Sequence, residues 1–155
     1  MNAQSKVVAE LSPEYCRDGY GWALAQVNLL RERRFDEVDW CNVIEEIESV
    51  GRSERRAVES ALFQVALHML KWDAQPNRSG NSWWHSIYNG RDDAQAELKK
   101  NPSLKSLLDE MVADSVSKAR RRAARETGLP PQVFDALDYS AAVLFERPFE
   151  RPSRA

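Results

Sequence analysis

The stretch DWCNVIEEIESVGRSERRAVESALFQVALHMLKW, residues 39 to 72, decides the fold of this chain. Its apolar residues recur at steps of three and four, which is the spacing of one face of an α-helix. No proline interrupts the stretch. The pattern therefore predicts one long helix that starts at Asp39 and ends before Pro76. At ~1.5 Å of rise per residue this helix is roughly 50 Å long, which sets the height of a small domain.

Gly51 leaves two alternatives for the middle of this stretch. In the first, the glycine ends one helix and Ser53 caps a second. In the other, a single apolar face continues from Ile47 through Gly51 to Val58, which favours one helix with a bend or a close contact at the glycine. We predict the continuous, bent helix.

A first helix is expected to precede the long one. Ser12 and Pro13 form a helix start, with the serine as cap and the proline in the first turn. The linker over residues 34 to 38 is short, so the two helices are expected to run antiparallel. Helical spacing predicts the inner face of the first helix to be Tyr20, Ala23, Leu24, Val27 and Leu30.

Two more helices follow the loop over residues 73 to 81. The third is predicted to begin at Asn81 or Ser82, and the fourth at the Asn101-Pro102 cap, ending before Gly128. A short helix is predicted from Ser140 to Glu146, and no run of residues alternates as a strand would. The fold class is therefore all-α, a four-helix up-and-down bundle with a long bent central helix and a small C-terminal helical appendage. The inner face of the fourth helix is predicted to be Leu104, Leu107, Leu108, Met111, Val112, Ser115, Ala119 and Ala123.

Composition indicates one globular domain over residues 1 to 155, with residues 1 to 11 a mobile arm and residues 147 to 155 a polar tail. The net charge of -2 argues against nucleic acid or anionic lipid as a general partner. No apolar run approaches the ~18 residues of a membrane span, and no signal-peptide pattern is present. Cys16 and Cys41 lack a CxxC spacing, so they are expected to be free thiols in the cytoplasm.

The stretch over residues 39 to 72 closely resembles the central signature of the bacterial family named domain of unknown function 29, and its run EEIESVGRSERR, residues 45 to 56, makes the resemblance specific. YCRDGYGWALAQVNLLRERRFDEV (residues 15 to 38) and ARETGLP (residues 124 to 130) are similar to the N-terminal block and the closing segment of that family. The resemblance covers roughly residues 13 to 144 and implies an all-α bundle. It implies no reaction, so no catalytic residue is carried over. The chain departs from the family pattern at His85.

An acidic cluster on the long helix is the first candidate site. Glu45 and Glu48 share a helix face, and carboxylate pairs that face inward bind metals. Ferritin-like di-iron sites need a Glu-x-x-His unit on each of two helices, and neither histidine of this chain has one. We therefore predict no metal ligand and no cofactor. The glutamates are expected to form ion pairs with Arg52, Arg55 or Arg56.

His68 and a tryptophan pair complete the candidate binding residues. A lone histidine in an apolar helix is expected to be a core residue that is hydrogen-bonded to a carboxylate or a carbonyl. Trp83 and Trp84 lie beside a loop, where they either pack the end of the bundle or form an exposed partner surface.

The enzymatic alternative depends on Arg78 and His85. Their spacing at a helix start resembles the catalytic pair of HEPN-type ribonucleases, in which the histidine moves a proton and the arginine stabilises the phosphorane charge. A basic stripe on the fourth helix would offer phosphate contacts to a nucleic acid, although a solvated face is the simpler interpretation. The stripe consists of Lys118, Arg121, Arg122 and Arg125.

The sequence favours a non-enzymatic protein that binds another protein or a second copy of itself. A helical bundle with surplus aromatic residues can bury such an interface without further chemistry. The alternative is an RNA-directed nuclease or a nucleic-acid-binding protein that uses Arg78 and His85.

Overall fold

A computed structural model describes residues 12–152, and these residues form seven α-helices and no strand. The prediction of an all-α bundle is therefore confirmed. The expectation of a mobile arm over residues 1 to 11 lies outside the described residues. The helices are α1 (Pro13–Arg17), α2 (Gly19–Arg31), α3 (Trp40–Ala74), α4 (Asn81–Lys100), α5 (Leu108–Thr127), α6 (Gln132–Asp135) and α7 (Ala141–Glu146).

The chain divides into two compact units, unit 1 (Met1–Arg52) and unit 2 (Ser53–Ala155). Helix α3 contributes its first part to unit 1 and the remainder to unit 2. The expectation of one helical domain over the whole chain stays a prediction.

Two helices, α1 and α2, replace the single first helix that the sequence predicts. They meet at Asp18, whose backbone is not helical. Its carboxylate accepts a hydrogen bond of 2.9 Å from the backbone N–H of Gly21 and so caps α2. A Cβ at Gly21 would lie 2.5 Å from that carboxylate, so the glycine allows the close approach that the cap requires.

Asp39 joins α2 to the start of α3. It accepts hydrogen bonds from Trp22 Nε1 at 3.1 Å and from Asn42 Nδ2 at 2.8 Å. Its own backbone N–H donates to Gln26 Oε1 at 2.8 Å. Unit 1 has few buried side chains in its described part: Trp22, Val38 and Asn42.

The long helix α3 is continuous through Gly51, which confirms that part of the prediction. No C-cap forms at the glycine, because it keeps a helical backbone. The bend expected at this position stays a prediction.

Unit 2 contains the hydrophobic core of the protein, in which the second part of α3 packs against α4 and α5. Val58, Leu62 and Ile87 are fully enclosed in this core. The backbone of α3 also contacts α5, because Ser115 Oγ donates to the carbonyl of Glu59 at 3.2 Å.

The start of the fourth helix differs from the sequence prediction. A 3-10 turn over Pro102–Leu107 comes first, and α5 begins only at Leu108. Asn101 makes no capping hydrogen bond with its side chain. Its amide instead donates to Glu54 Oε2 at 2.8 Å. Leu107, predicted on the inner face, is 36% exposed because the 3-10 turn changes the helical phase.

Gly90 allows α4 to approach α3 closely. A Cβ at this position would lie 2.8 Å from Val65 Cγ2 and 3.2 Å from the carbonyl oxygen of Ala61. We expect Gly90→Ala to lower the free energy of unfolding by about 1 kcal/mol, because the steric cost of overpacking outweighs the gain in helix propensity. Urea denaturation measures the change. Gly80→Ala, where a Cβ meets nothing within 4 Å, is the control. A stabilised Gly90→Ala variant would contradict the close approach.

The C-terminal segment contains α6, which the sequence analysis missed, and α7, which begins after the Ser140 cap as predicted. Phe134 of α6 is fully buried. The predicted polar tail begins with packed residues, since Phe149 is 7% exposed. Its ring lies edge-on to Trp72, with 5.3 Å between the ring centroids.

Candidate functional site

Unit 1 carries most of the large hydrophobic side chains that the described chain exposes. Ten such side chains are exposed, and only Leu107 and Val133 lie in unit 2. We call the other eight the apolar face of unit 1. They are Tyr20 (77% exposed), Leu24 (49%), Val27 (39%), Phe35 (51%), Trp40 (46%), Ile44 (53%), Ile47 (67%) and Val50 (63%).

The stripe on α2 corrects one sequence prediction. Tyr20, Leu24 and Val27 were expected on the inner face of the first helix, yet they point to solvent. The buried side of α2 is occupied by Trp22, which stacks edge-on against Tyr15 with a centroid distance of 4.8 Å. A hydropathy pattern identifies an apolar stripe but does not identify what covers it, which explains the error.

Two stripes of the apolar face have the same geometry. On α3 the stripe is Trp40, Ile44 and Ile47, which repeats the spacing of the α2 stripe. At ~100° of rotation per residue, each stripe lies roughly 140° from the side of its helix that makes the contacts within unit 1. Those contacts come from Trp22 and Gln26 on α2 and from Asn42 and Glu46 on α3.

A few contacts join α1, α2 and the start of α3 in unit 1. Trp22 and Gln26 of α2 contact Asp39, and Tyr15 of α1 donates to Glu46 of α3. The α2 and α3 stripes are exposed on the sides of their helices that face away from these contacts.

Gly51 extends the stripe of α3 by one further step of four residues after Ile47. A Cβ built on Gly51 meets nothing within 4 Å in the described part of the chain. Unlike Gly90, this glycine is therefore not required by any contact within the protein that the structure describes. It leaves the α3 backbone accessible beside the apolar face.

Glu45 and Glu48 form ion pairs with Arg52, as the sequence analysis expected. Arg52 Nη2 lies 2.5 Å from Glu45 Oε1, and Nη1 lies 3.4 Å from Glu48 Oε2. All three side chains are 44% to 62% exposed, so each pair contributes about 0–1 kcal/mol to stability. Both glutamates border the apolar face, where they are placed to select a partner by charge.

His68 lies in a basic groove of about 450 Å³ between α3 and α5. Its Nδ1 is 2.9 Å from the carbonyl oxygen of Gln64, which is the kind of partner that the sequence analysis expected. Glu126, at the edge of the groove, is paired with Lys71 at 2.9 Å and with Arg122 at 2.5 Å. The basic stripe predicted from the sequence lines the groove: Lys118, Arg121, Arg122 and Arg125.

The pKa of His68 gives a testable pH dependence. Burial lowers this pKa from its ordinary value, and the nearby Lys71 acts in the same direction. The unfolded chain therefore binds the proton at a higher pH than the folded chain does. The stability that neutral His68 contributes is complete above about pH 6.5. It is lost as the pH falls toward the lower pKa of His68 in the folded state.

We therefore expect His68→Gln to flatten the loss of stability between about pH 7 and pH 5. Urea denaturation at a series of pH values measures this slope. The same substitution at the exposed His85 is the control. If stability depends on pH as steeply in His68→Gln as in the parent chain, the lowered pKa of His68 in the folded state would be contradicted.

Trp83 and Trp84 are half-buried and make contacts within unit 2. Lys71 Nζ lies 5.0 Å from the ring centroid of Trp83. Trp84 Nε1 donates to the carbonyl of Phe149 at 3.1 Å, and the Trp84 ring stacks on Tyr88. Of the two sequence interpretations, these contacts favour packing at the end of the bundle.

Arg78 and His85 are both exposed. Arg78 ends the 3-10 turn over Pro76–Arg78. His85 lies edge-on to Trp84, with 5.1 Å between the ring centroids. Within residues 12–152 neither side chain forms a hydrogen bond to the other, and the nuclease pair stays a prediction.

Comparison with protein families gives a match over most of the chain. The family described as "Domain of unknown function DUF29" matches residues 15–147. The chain belongs to this family. A search of curated proteins and a search of solved structures returned no match.

A polar network at the end of α3 in this DUF29 chain was missed by the sequence analysis. Asp73 accepts hydrogen bonds from Arg147 Nη1 at 2.7 Å and Nη2 at 2.6 Å, and from the hydroxyl of Tyr139 at 2.5 Å. Burial and this carboxylate raise the pKa of Tyr139. The network fastens the C-terminal segment to the end of α3.

Arg91 of this DUF29 chain also binds the C-terminal segment. It is 5% exposed and donates to the carbonyl of Leu144 at 2.6 Å and to that of Arg147 at 2.7 Å. The one available signal in the sequence was an arginine in the apolar stripe of the third helix, between Ile87 and Ala94. A charged residue at such a position indicates a buried partner.

The described part of the DUF29 chain contains neither a metal-binding cluster nor a membrane-spanning helix. No group of three or more His, Cys, Asp or Glu side chains within residues 12–152 is arranged to hold a metal ion. No helix in the same range is both long and apolar enough to cross a membrane.

Proposed function

We propose that this protein is a non-enzymatic interaction module whose binding surface is the apolar face of unit 1. The observation that supports the proposal is the concentration of eight exposed large hydrophobic side chains between Tyr20 and Val50. Surface hydrophobics that are scattered singly need no explanation, whereas a concentration of this kind within one small unit indicates an interaction site.

The size of the patch supports a stable complex. At about 200 Å² for a large apolar side chain, exposed fractions of 39% to 77% correspond to roughly 900 Å² of surface. That area is close to the ~800 Å² that each partner loses in a standard protein–protein interface.

Charge restricts the choice of partner. Glu45, Glu48 and Arg52 border the face, so a partner needs an apolar centre with polar groups at the rim. A bacterial, cytoplasmic setting is part of this proposal. If two partners compete for the apolar face of unit 1, the protein has a regulatory role.

Photo-crosslinking in the cells that produce the protein tests the proposal. A photoreactive phenylalanine at Ile47 places the probe within the apolar face, and one at Val133, exposed in unit 2, is the matched control. We expect protein adducts from Ile47 and none from Val133. Equal yields at the two positions, or none at either, would contradict the proposal.

A further inference from the structure

We infer that the occupant of the apolar face is a second copy of this chain. In the complex, the exposed stripes of α2 and the first part of α3 pack against those of the other copy around a two-fold axis. The inference rests on the proposed function and names the partner of that same surface.

The small core of unit 1 is the first argument. Its described part, residues 12–52, has only three buried side chains, Trp22, Val38 and Asn42. A unit with so small a core is often stabilised by a disulfide, a metal or an oligomer. Cys16 and Cys41 are free thiols, and no cluster in the described range is suited to a metal. An oligomer would supply the buried apolar surface that the described part of this unit has little of.

The spacing of the stripes indicates that the occupant is helical. Tyr20, Leu24 and Val27 on α2 follow steps of four and three, and Trp40, Ile44 and Ile47 on α3 follow the same steps. This is the seam of helices that pack with a small crossing angle. A second copy presents the same seams, so two copies can cover each other's exposed stripes without further elements.

The area fits a homodimer. The roughly 900 Å² exposed by each copy is close to the ~800 Å² that each partner loses in a standard interface. Interfaces between identical subunits are the most apolar class, and two-fold pairing is the commonest symmetry. A surface that consists of eight large apolar side chains matches that class.

Gly51 supplies an independent argument. Glycine destabilises a helix interior relative to alanine, and nothing in the described part of the chain occupies the space beside it. At Gly90 the same residue type lets α4 approach α3. The geometry at Gly51 is therefore suited to a helix that arrives from outside the chain.

An antiparallel crossing of the two α3 helices uses this space. In this crossing, Ile47 of each copy packs on the partner's Gly51, which fixes the register of the two helices. Arg52 of each copy then lies on the same flank of the crossing as the partner's Glu45. The crossing therefore places a cation beside an anion at both rims of the interface.

Sedimentation equilibrium of the full chain, from ~1 μM to ~1 mM, tests the inference. We expect a mass that approaches two chains as the concentration rises. Ile47→Asp is expected to weaken the dimer by roughly 100-fold, because it buries an unpaired carboxylate in an apolar interface. Val133→Asp, which adds the same charge at an exposed apolar position of unit 2, is expected to leave the dimer unchanged.

Gly51→Leu separates an interface effect from a folding effect. Leucine favours a helix more than glycine does, so circular dichroism should show helix content that is equal or higher. The added side chain blocks the crossing, and we expect roughly a tenfold weaker dimer. A dimer that neither Ile47→Asp nor Gly51→Leu weakens would overturn the inference.

The two proposals fail in different ways. A full chain that stays monomeric at every concentration would overturn the second copy as partner. If Ile47 still gives adducts with a different protein in cells, the proposed interaction function survives that result. Adducts from Ile47 with the mass of two chains would support both proposals.

Discussion

Replacement of Arg91 by methionine is expected to lower the free energy of unfolding by about 3 kcal/mol. Arg91 is buried and holds the carbonyls of Leu144 and Arg147. Methionine has a similar length but no donor, so two acceptors lose their partner, at about 1–3 kcal/mol each when they stay buried. The relief of a buried charge offsets part of that cost.

Urea denaturation followed by tryptophan fluorescence measures the effect of Arg91→Met. Arg78→Met is the matched control, because Arg78 is exposed and changes at such positions stay within about 0.5 kcal/mol. Arg91→Lys keeps the charge but places only one ammonium between the two carbonyls, so an intermediate loss is expected. Arg91→Met with the stability of the parent chain would show that the guanidinium does not fasten α7.

Phe134→Ala is expected to destabilise the protein by about 3–5 kcal/mol, which is the usual cost of removing a fully buried aromatic side chain. Phe134 is completely enclosed in the core of unit 2. It comes from α6, a helix of one turn between Pro131 and Ala136, which is too short to form without this anchor.

The neighbouring Val133 provides the control for Phe134→Ala. Val133 is 39% exposed, so Val133→Ala removes little buried surface and should change stability by about 0.5 kcal/mol or less. Thermal unfolding of the two variants side by side measures the difference. Equal effects would contradict the role of Phe134 as the anchor of the C-terminal segment.

Long, periodic segments of this chain were predictable from the sequence because local spacing determines them. The continuous helix through Gly51 and the short helix after Ser140 are examples. The break at Asp18 was missed because it depends on a carboxylate that caps Gly21, and a proline-based start signal at Pro13 concealed it. Leu107 was misplaced because a 3-10 turn shifts the helical phase.

The candidate surface was predictable only in part. The apolar positions of α2 and α3 were read correctly as stripes, but a stripe within one chain and a stripe at an interface have the same hydropathy pattern. Exposure of Tyr20 and Ile47 in the structure separates the two cases. Asp73, Tyr139 and Arg147 are far apart in sequence, and no local pattern predicts that they meet.

Hydrogen–deuterium exchange at low and high protein concentration tests most directly whether the apolar face of unit 1 binds a second copy. Backbone amides of a marginally stable helix exchange through local opening, and an interface suppresses that opening. The account predicts that exchange over α2 and residues 40–51 slows as concentration rises, while exchange over α4 and α5 stays unchanged. Exchange over α2 that is independent of concentration, or protection confined to unit 2, would contradict it.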